Sequence, residues 1–280
     1  MRNVDKQHWN FKNYPNPFEP LTPDLAWVLG LWFTDGYLGW PYLASLSQND
    51  RDLLEHVKRL IAPLEAPERV YLRRHSQSKN NWVLQIYSRQ FNQYLRALGL
   101  TSRKSLTMLW PTWVTSELLP HFVRGLVEGD GCISIASTKA RRTYSYLQVS
   151  YASGSLRFIV AFRDAIAPIV GRYYKVAALE ENCYQMCSTG KRARELCAWM
   201  YRDSTESTRL RRKYETYVAH LKDRARSKRC ARCGKVRVAS AFYKSKTAKN
   251  GLASWCQDCS RAYAHERYRR TNDPVRSVLT

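Results

Sequence analysis

Two aspartates in matched settings are the first residues whose type and spacing could do chemistry. Residues 28–36 read VLGLWFTDG and residues 123–131 read VRGLVEGDG, 95 positions apart, with Val, Gly, Leu and the terminal Asp-Gly in register. Each lies at the end of a helical pattern: Leu25, Val28, Leu29 and Trp32 share one face, and Leu119, Phe122, Val123 and Leu126 share another. Gly30 and Thr34, like Gly125 and Gly129, are four apart, so a small-residue face on each helix permits close approach of the two. If those faces meet, Asp35 and Asp130 end side by side at two helix C-termini. A carboxylate is disfavoured there and two repel, so the pair makes sense with a cation between them. Hard oxygen ligands suit Mg²⁺. In a basic chain, paired carboxylates with a divalent metal point to phosphodiester hydrolysis.

Four cysteines form the second chemical pattern. Cys230-x-x-Cys233 and Cys256-x-x-Cys259, separated by 22 residues, have the spacing of a tetrahedral Cys₄ zinc site. All four ligand positions would be filled by sulfur, so a structural Zn²⁺ is expected and a catalytic one is not. A segment this small has too little core to fold without the metal. His265 falls outside the ligand pattern and is expected at the surface. Cys132, Cys183, Cys187 and Cys197 sit in apolar context and are expected to be small core residues.

The elements that must position these residues recur with the motifs. Pro23 and Pro120 lie near the helix starts, where proline is tolerated, and the glycine after each Asp is expected to stop its helix. After the first motif come extended segments at Tyr42–Ser47, Val70–Arg74 and Trp82–Ser88, with helices through Leu53–Ile61 and Phe91–Leu98. After the second come Cys132–Ser137, Tyr144–Tyr151, Tyr173–Ala177 and Cys183–Ser188, with helices through Ile159–Ile166 and Lys191–Met200. Helix, two strands, helix, two strands, helix occurs twice, which is an α+β chain of two tandem pseudo-symmetric halves.

Composition agrees with a folded, polyanion-binding protein. The 280 residues carry 46 Lys and Arg against 23 Asp and Glu, yet 44% are hydrophobic, which excludes a disordered polycation. Residues 224–280 alone hold 15 basic and 3 acidic residues, about half of the surplus. No apolar run is long enough for a membrane span. The N-terminus lacks a signal-peptide layout, so a cytoplasmic location in a bacterial or phage-infected cell is expected, without membrane association.

VLGLWFTDG and VRGLVEGDG resemble the paired signatures of monomeric, double-motif LAGLIDADG homing endonucleases. The resemblance spans about residues 20–222 and includes LGLTSRKSLTMLWP at 98–111 and WMYRDSTESTRLRRKYETY at 199–217. It implies two αββαββα halves forming a DNA-binding saddle, with the motif helices as the interface. It further implies that Asp35 and Asp130 are the catalytic acids and bind Mg²⁺ with the carbonyls of Thr34 and Gly129. A basic residue is implied near each scissile phosphate: Arg89 and Lys191 are the candidates, with Lys104 and Lys213 as alternative phosphate contacts or structural residues. Phe33 and Arg124 depart from the family pattern, whereas Glu128 keeps it. The C-terminal cysteines resemble zinc-ribbon-like modules appended to phage and mobile-element nucleases.

The expected function is therefore a Mg²⁺-dependent, site-specific double-strand DNA endonuclease acting on a long asymmetric target, promoting mobility of an intron or free-standing element. The sheets are expected to meet base edges through Arg73, Arg74, Gln77, Lys79 and Gln85 in the first half. In the second half the expected contacts are Lys139, Arg141, Arg142, Tyr144, Tyr146 and Gln148, flanked by Ser134 and Ser150; Arg and Gln suit guanine and adenine. An intron-RNA-binding maturase and a non-cleaving DNA-binding regulator are the rival readings of the same fold. The expected layout is an extension at 1–20, halves at 21–115 and 116–222, a basic linker at 223–229, a zinc module at 230–270 and a tail at 271–280.

Overall fold

The computed structural model describes residues 14–271, apart from 40, 65, 76–79, 103, 139–140, 172–174, 226 and 249. Contacts divide the chain into two compact units, one drawn from Met1–Ser134 and Gln148–Tyr214, the other from Ile135–Leu147 and Glu215–Thr280.

In the first unit, α1 (Pro23–Asp35) starts where the Thr22 hydroxyl accepts the Leu25 N–H at 3.3 Å, with Pro23 in the first turn. It is followed by β1 (Gly36–Leu38), β2 (Leu43–Gln48), α2 (Arg51–Ile61), β3 (Val70–Arg74), β4 (Trp82–Tyr87) and α3 (Arg89–Ala97). Asp50 and Ser88 cap α2 and α3 by accepting the N–H groups of Leu53 and Phe91 at 3.2 Å. The strands pair antiparallel in the order β1-β2-β4-β3. A short α4 (Lys104–Thr107) leads into the second series: α5 (Leu119–Gly129), β5 (Cys132–Thr138), β6 (Arg141–Ser153), α6 (Leu156–Val170), β7 (Val176–Glu180), β8 (Cys183–Thr189) and α7 (Lys191–Tyr201). Its sheet order, β5-β6-β8-β7, repeats that of the first. The αββαββα plan therefore occurs twice.

Aromatic packing fills the space between α1, α5 and α6. Phe33 meets the Phe122 ring edge-on at 5.2 Å, and Trp110 lies 5.4 Å from Phe122 and 5.7 Å from Phe162. Such ring pairs add to the area they bury. Phe33 is thus part of the core.

Three expectations change. Gly36 and Gly131 do not stop their helices by a left-handed backbone: Gly36 has φ −77°, and Gly131 is not among the positive-φ glycines. They are glycines because the chain turns back on its own helix, where a Cβ would lie 2.7 Å from the Trp32 ring or 2.7 Å from Val127 Cα. Cys132 is exposed, with Cys183 and Cys187 half-buried; only Cys197 of the four is in the core, because strand alternation sends neighbouring residues to opposite faces. The strand expected at Tyr173–Ala177 runs instead from Val176 to Glu180, and 172–174 lie outside the described residues.

The C-terminal chain departs from the expected linker as well. α8 (Arg211–Ala225) continues through its first residues, and β9 (Lys228–Arg229) takes its last. β9 pairs with β10 (Val236–Arg237), β11 (Phe242–Lys244) pairs with β12 (Leu252–Cys256), and α9 (Gln257–Thr271) follows directly. Cys230, Val238, Ala241, Phe242 and Cys256 form a small core. Among the described residues no helix is long and apolar enough to cross a membrane.

Candidate active site

The site is built by the glycines of the motif helices. A Cβ on Gly30 would stand 2.7 Å from Gly125 Cα and clash with the Phe122 carbonyl; one on Gly125 would stand 2.8 Å from Gly30 Cα and clash with the Trp27 carbonyl. The backbones of α1 and α5 are in direct contact there, a distance only glycine allows. One turn later a Cβ on Gly129 would strike Thr34 and come within 2.8 Å of Asp35 Oδ2. The small face Gly30, Thr34, Gly125, Gly129 is the helix contact, and it carries Asp35 to the end of α5, where Asp130 follows.

The two carboxylates share one electrostatic environment. Burial first, and then the charge of Asp130, push Asp35 up to about 6, while Lys104, Lys213 and a hydrogen bond from Gln48 pull the other way. Asp130 is also raised, by desolvation, against the pull of Lys104 and Lys213. Gln48 Nε2 donates to Asp35 Oδ2 at 2.5 Å. Asp130 instead opens on a cleft of about 200 Å³, lined also by Thr34, Lys104, Tyr151, Ser153 and Gly154.

Each lysine closes the C-terminus of a motif helix. Lys104 Nζ donates to the carbonyls of Trp32, at 2.9 Å, and Thr34. Lys213 Nζ donates to those of Val127, Glu128, Gly129 and Gly131 at 2.6–3.1 Å. The carbonyls of Thr34, Val127, Glu128 and Gly129 belong to the last turns of α1 and α5, at the negative ends of the helix dipoles; Trp32 also accepts the Gly36 N–H, and Gly131 lies just beyond α5. Burial lowers both lysines to about 8, and neighbouring acids raise them. The donors around the aspartates, two carboxylates and the carbonyls of Thr34 and Gly129, are all hard oxygens, which fits Mg²⁺; each carbonyl keeps a second lone pair beside its lysine.

Arg89 and Lys191 are not brought to this site. Arg89 donates to the Tyr42 hydroxyl at 3.2 Å and lies over its ring, and Lys191 pairs with Glu195 at 3.5 Å with a side chain 80% exposed. The sheet register also separates Arg73 from Arg74. Arg73 shares the outer face with Gln85, Ser45, Tyr71 and Tyr37, whereas Arg74 pairs across from Trp82 on the other face and lies 5.3 Å from its ring. Tyr146, Gln148 and Ser150 share one face of β6, opposite buried Leu147, Val149 and Tyr151. Gln77, Lys79 and Lys139 lie outside the described residues, as do the side chains of Arg141, Arg142 and Tyr144.

Sequence reasoning missed Gln48. Its signal was its place, two residues before the Asp50 cap; the corresponding residue before the Ser155 cap is Ser153, which lines the cleft beside Asp130. The two carboxylates therefore have unlike neighbours despite their matched motifs.

The four cysteine sulfurs Cys230, Cys233, Cys256 and Cys259 lie within 4.8 Å of one another and could hold one metal ion. Cys230 and Cys233 bracket a turn in which the Gly234 N–H donates to the Cys230 carbonyl at 3.0 Å, and the Cys256 N–H donates to Cys230 Sγ at 3.2 Å. The second pair is delivered by the junction of β12 and α9.

Residues 22–99 match the family of LAGLIDADG-like domains. A curated relative, the ATP-dependent DNA helicase Hel308 of Thermococcus kodakarensis, is 26% identical over 159 residues, 55% of this chain; the match spans only 14% of that protein. Among solved structures, the LAGLIDADG meganuclease I-AabMI bound to uncleaved DNA matches at 12% identity and TM-score 0.47, over 73% of this chain and 93% of that one. I-DmoI in complex with DNA and Mn matches at 14% identity and TM-score 0.44, over 65% of this chain and 98% of that one. The match to LAGLIDADG-like domains thus falls on the first αββαββα half, and a second half on the same plan follows it in this chain.

Proposed function

We propose that the chain is a site-specific double-strand DNA endonuclease that uses Mg²⁺ and promotes the mobility of an intron or free-standing element. The observation that carries this reading is the meeting of Asp35 and Asp130 at the ends of two helices held in backbone contact by Gly30 and Gly125. Two carboxylates at adjoining negative helix ends are a poor arrangement for stability and a good one for a divalent cation.

Asp35, Asp130 and the carbonyls of Thr34 and Gly129 would hold the cation. Bound there, Mg²⁺ would supply Lewis-acid polarisation of the phosphate and acidify a water. Gln48 fixes the rotamer of Asp35, and the cleft leaves Asp130 accessible. Lys104 and Lys213 set positive charge beside both carboxylates, where negative charge develops on a phosphate in flight. Arg73 on one outer sheet face and Gln148 on the other supply donors and acceptors that suit base edges, whereas Gln85 is largely covered and accepts the Tyr87 hydroxyl at 3.3 Å. In this reading residues 21–115 and 116–222 each serve one half of an asymmetric target, and the Cys₄ module at 230–270 holds Zn²⁺.

The test is digestion of a randomised duplex library with Mg²⁺, followed by sequencing of the new ends. A single long recognition sequence with a fixed stagger is expected. Uniform fragmentation, or cleavage of RNA in place of DNA, would reject the proposal.

A further inference from the structure

The Cys₄ module holds more positive charge than its own acids can neutralise. Residues 228–271 contain 12 Lys and Arg but only two acids, Asp258 and Glu266. Both acids are occupied: Asp258 pairs with Arg261 at 3.1 Å and lies 3.7 Å from Arg237, and Glu266 pairs with Arg232 at 2.9 Å. The remaining charge calls for a polyanion outside the module.

α9 has an inner and an outer face. Cys259, Tyr263 and Glu266, at i, i+4 and i+7, face the module: Cys259 brings its sulfur, Tyr263 packs edge-on against Trp255 at 5.3 Å, and Glu266 holds Arg232. The outer face presents Arg261, His265, Tyr268 and Arg269, all exposed, with Tyr268 67% accessible. It has no apolar stripe, which argues against a membrane surface, where an interfacial helix must bury one. A single convex helix also lacks the groove of stacked aromatics used for single strands. A helix of 15 residues, about 22 Å long, does fit the duplex major groove.

We propose that the outer face of α9 is a second duplex-DNA contact, in which Arg269 and Arg261 bind phosphates, Arg261 with the half of its side chain that its pairing with Asp258 leaves exposed, and Tyr268 packs on the backbone. With its arginines on phosphates the face adds affinity and leaves sequence reading to the sheets. The ligand is the one named in the function proposed above, and the experiment separates the two readings.

Binding of the full chain to a mixed-sequence duplex and to a hairpin RNA is measured over a salt series without added Mg²⁺. The doubly substituted R261Q/R269Q protein should bind the duplex about tenfold more weakly, with a slope of log K against log salt lowered by about 1.8, or 0.9 for each lost phosphate contact. R261K/R269K should restore the slope, which rules out loss through unfolding, and bound metal and melting temperature should match the parent in both. An unchanged duplex slope overturns the proposal, as does a change confined to the RNA. If the duplex slope falls in R261Q/R269Q while the parent cuts no DNA, the endonuclease reading fails and this one stands. If the parent cuts and the slope is unmoved, the reverse holds.

Discussion

Glu128 on α5 accepts the indole N–H of Trp27 on α1 at 2.8 Å, so the acidic residue of the second motif ties the two motif helices together. Its other oxygen accepts the Leu210 N–H at 2.8 Å, three residues before Lys213. The carboxyl is fully buried, burial pushes its pKa up, and the buried guanidinium of Arg124 opposes that rise. The matching position in the first motif, Phe33, packs its ring against Trp113, Phe122 and Phe158. The same motif position thus makes buried hydrogen bonds in one half and apolar packing in the other.

Glu128→Gln puts an N–H₂ group against a backbone or indole N–H and should destabilise the protein by about 1–3 kcal/mol. Trp27→Phe should lose less, because the accepting carboxylate keeps Leu210. Urea denaturation of both singles and the double gives the coupling; effects that simply add would show that the bond contributes nothing.

The raised Asp35 pKa carries a pH dependence. Its ordinary value is 3.8 and its folded value about 6, so between these the folded protein holds a proton that the unfolded chain has released. The stability Asp35 contributes is therefore complete below 3.8 and is lost as pH rises through about 6. Without metal, Asp35→Asn should be more stable than the parent at neutral pH, on the order of 1 kcal/mol, and no more stable in acid. Mg²⁺ should raise the melting temperature of the parent at neutral pH but not that of Asp35→Asn, which should also fail to cut both strands. Calorimetry across pH, with and without Mg²⁺, reads the stabilities, and a plasmid cleavage assay reads the last.

Helix contact at Gly125 leaves no room for a methyl group. Gly125→Ala should force α1 and α5 apart and destabilise by about 1–3 kcal/mol, outweighing the gain in helix propensity. A melting temperature at or above that of the parent would mean that the helices are not in backbone contact.

Lys213 and Lys191 offer a direct contrast. Lys213→Met strips four carbonyls of their donor and removes a charge beside Asp35, so cleavage should fall at least about a hundredfold, with a loss of stability. Lys191→Met should leave the cleavage rate within about threefold. Single-turnover rates on a cleavable target decide between them, and equal losses would return Lys191 to the site.

The motif duplication, the glycine faces, the alternation of helix and strand and the Cys₄ spacing were all legible in the sequence. Each is a local spacing that physical chemistry reads without long-range information: four residues make one helix face, and two residues between cysteines make one metal-binding turn. Tertiary structure decided which side chains complete the site. Lys104 and Lys213 reach their carbonyls because the segments after α3 and α7 return to the ends of α1 and α5, a route that no periodicity encodes. Gln48 meets Asp35 because β2 ends beside α1, and Arg73 parts from Arg74 because pairing with β4 assigns them opposite faces. Where a strand's register sets the face and a loop's path sets the reach, residue type alone leaves several candidates of equal merit. Arg89 and Lys104 are both basic residues just beyond the first sheet, and only the folded chain brings one of them to the carboxylates.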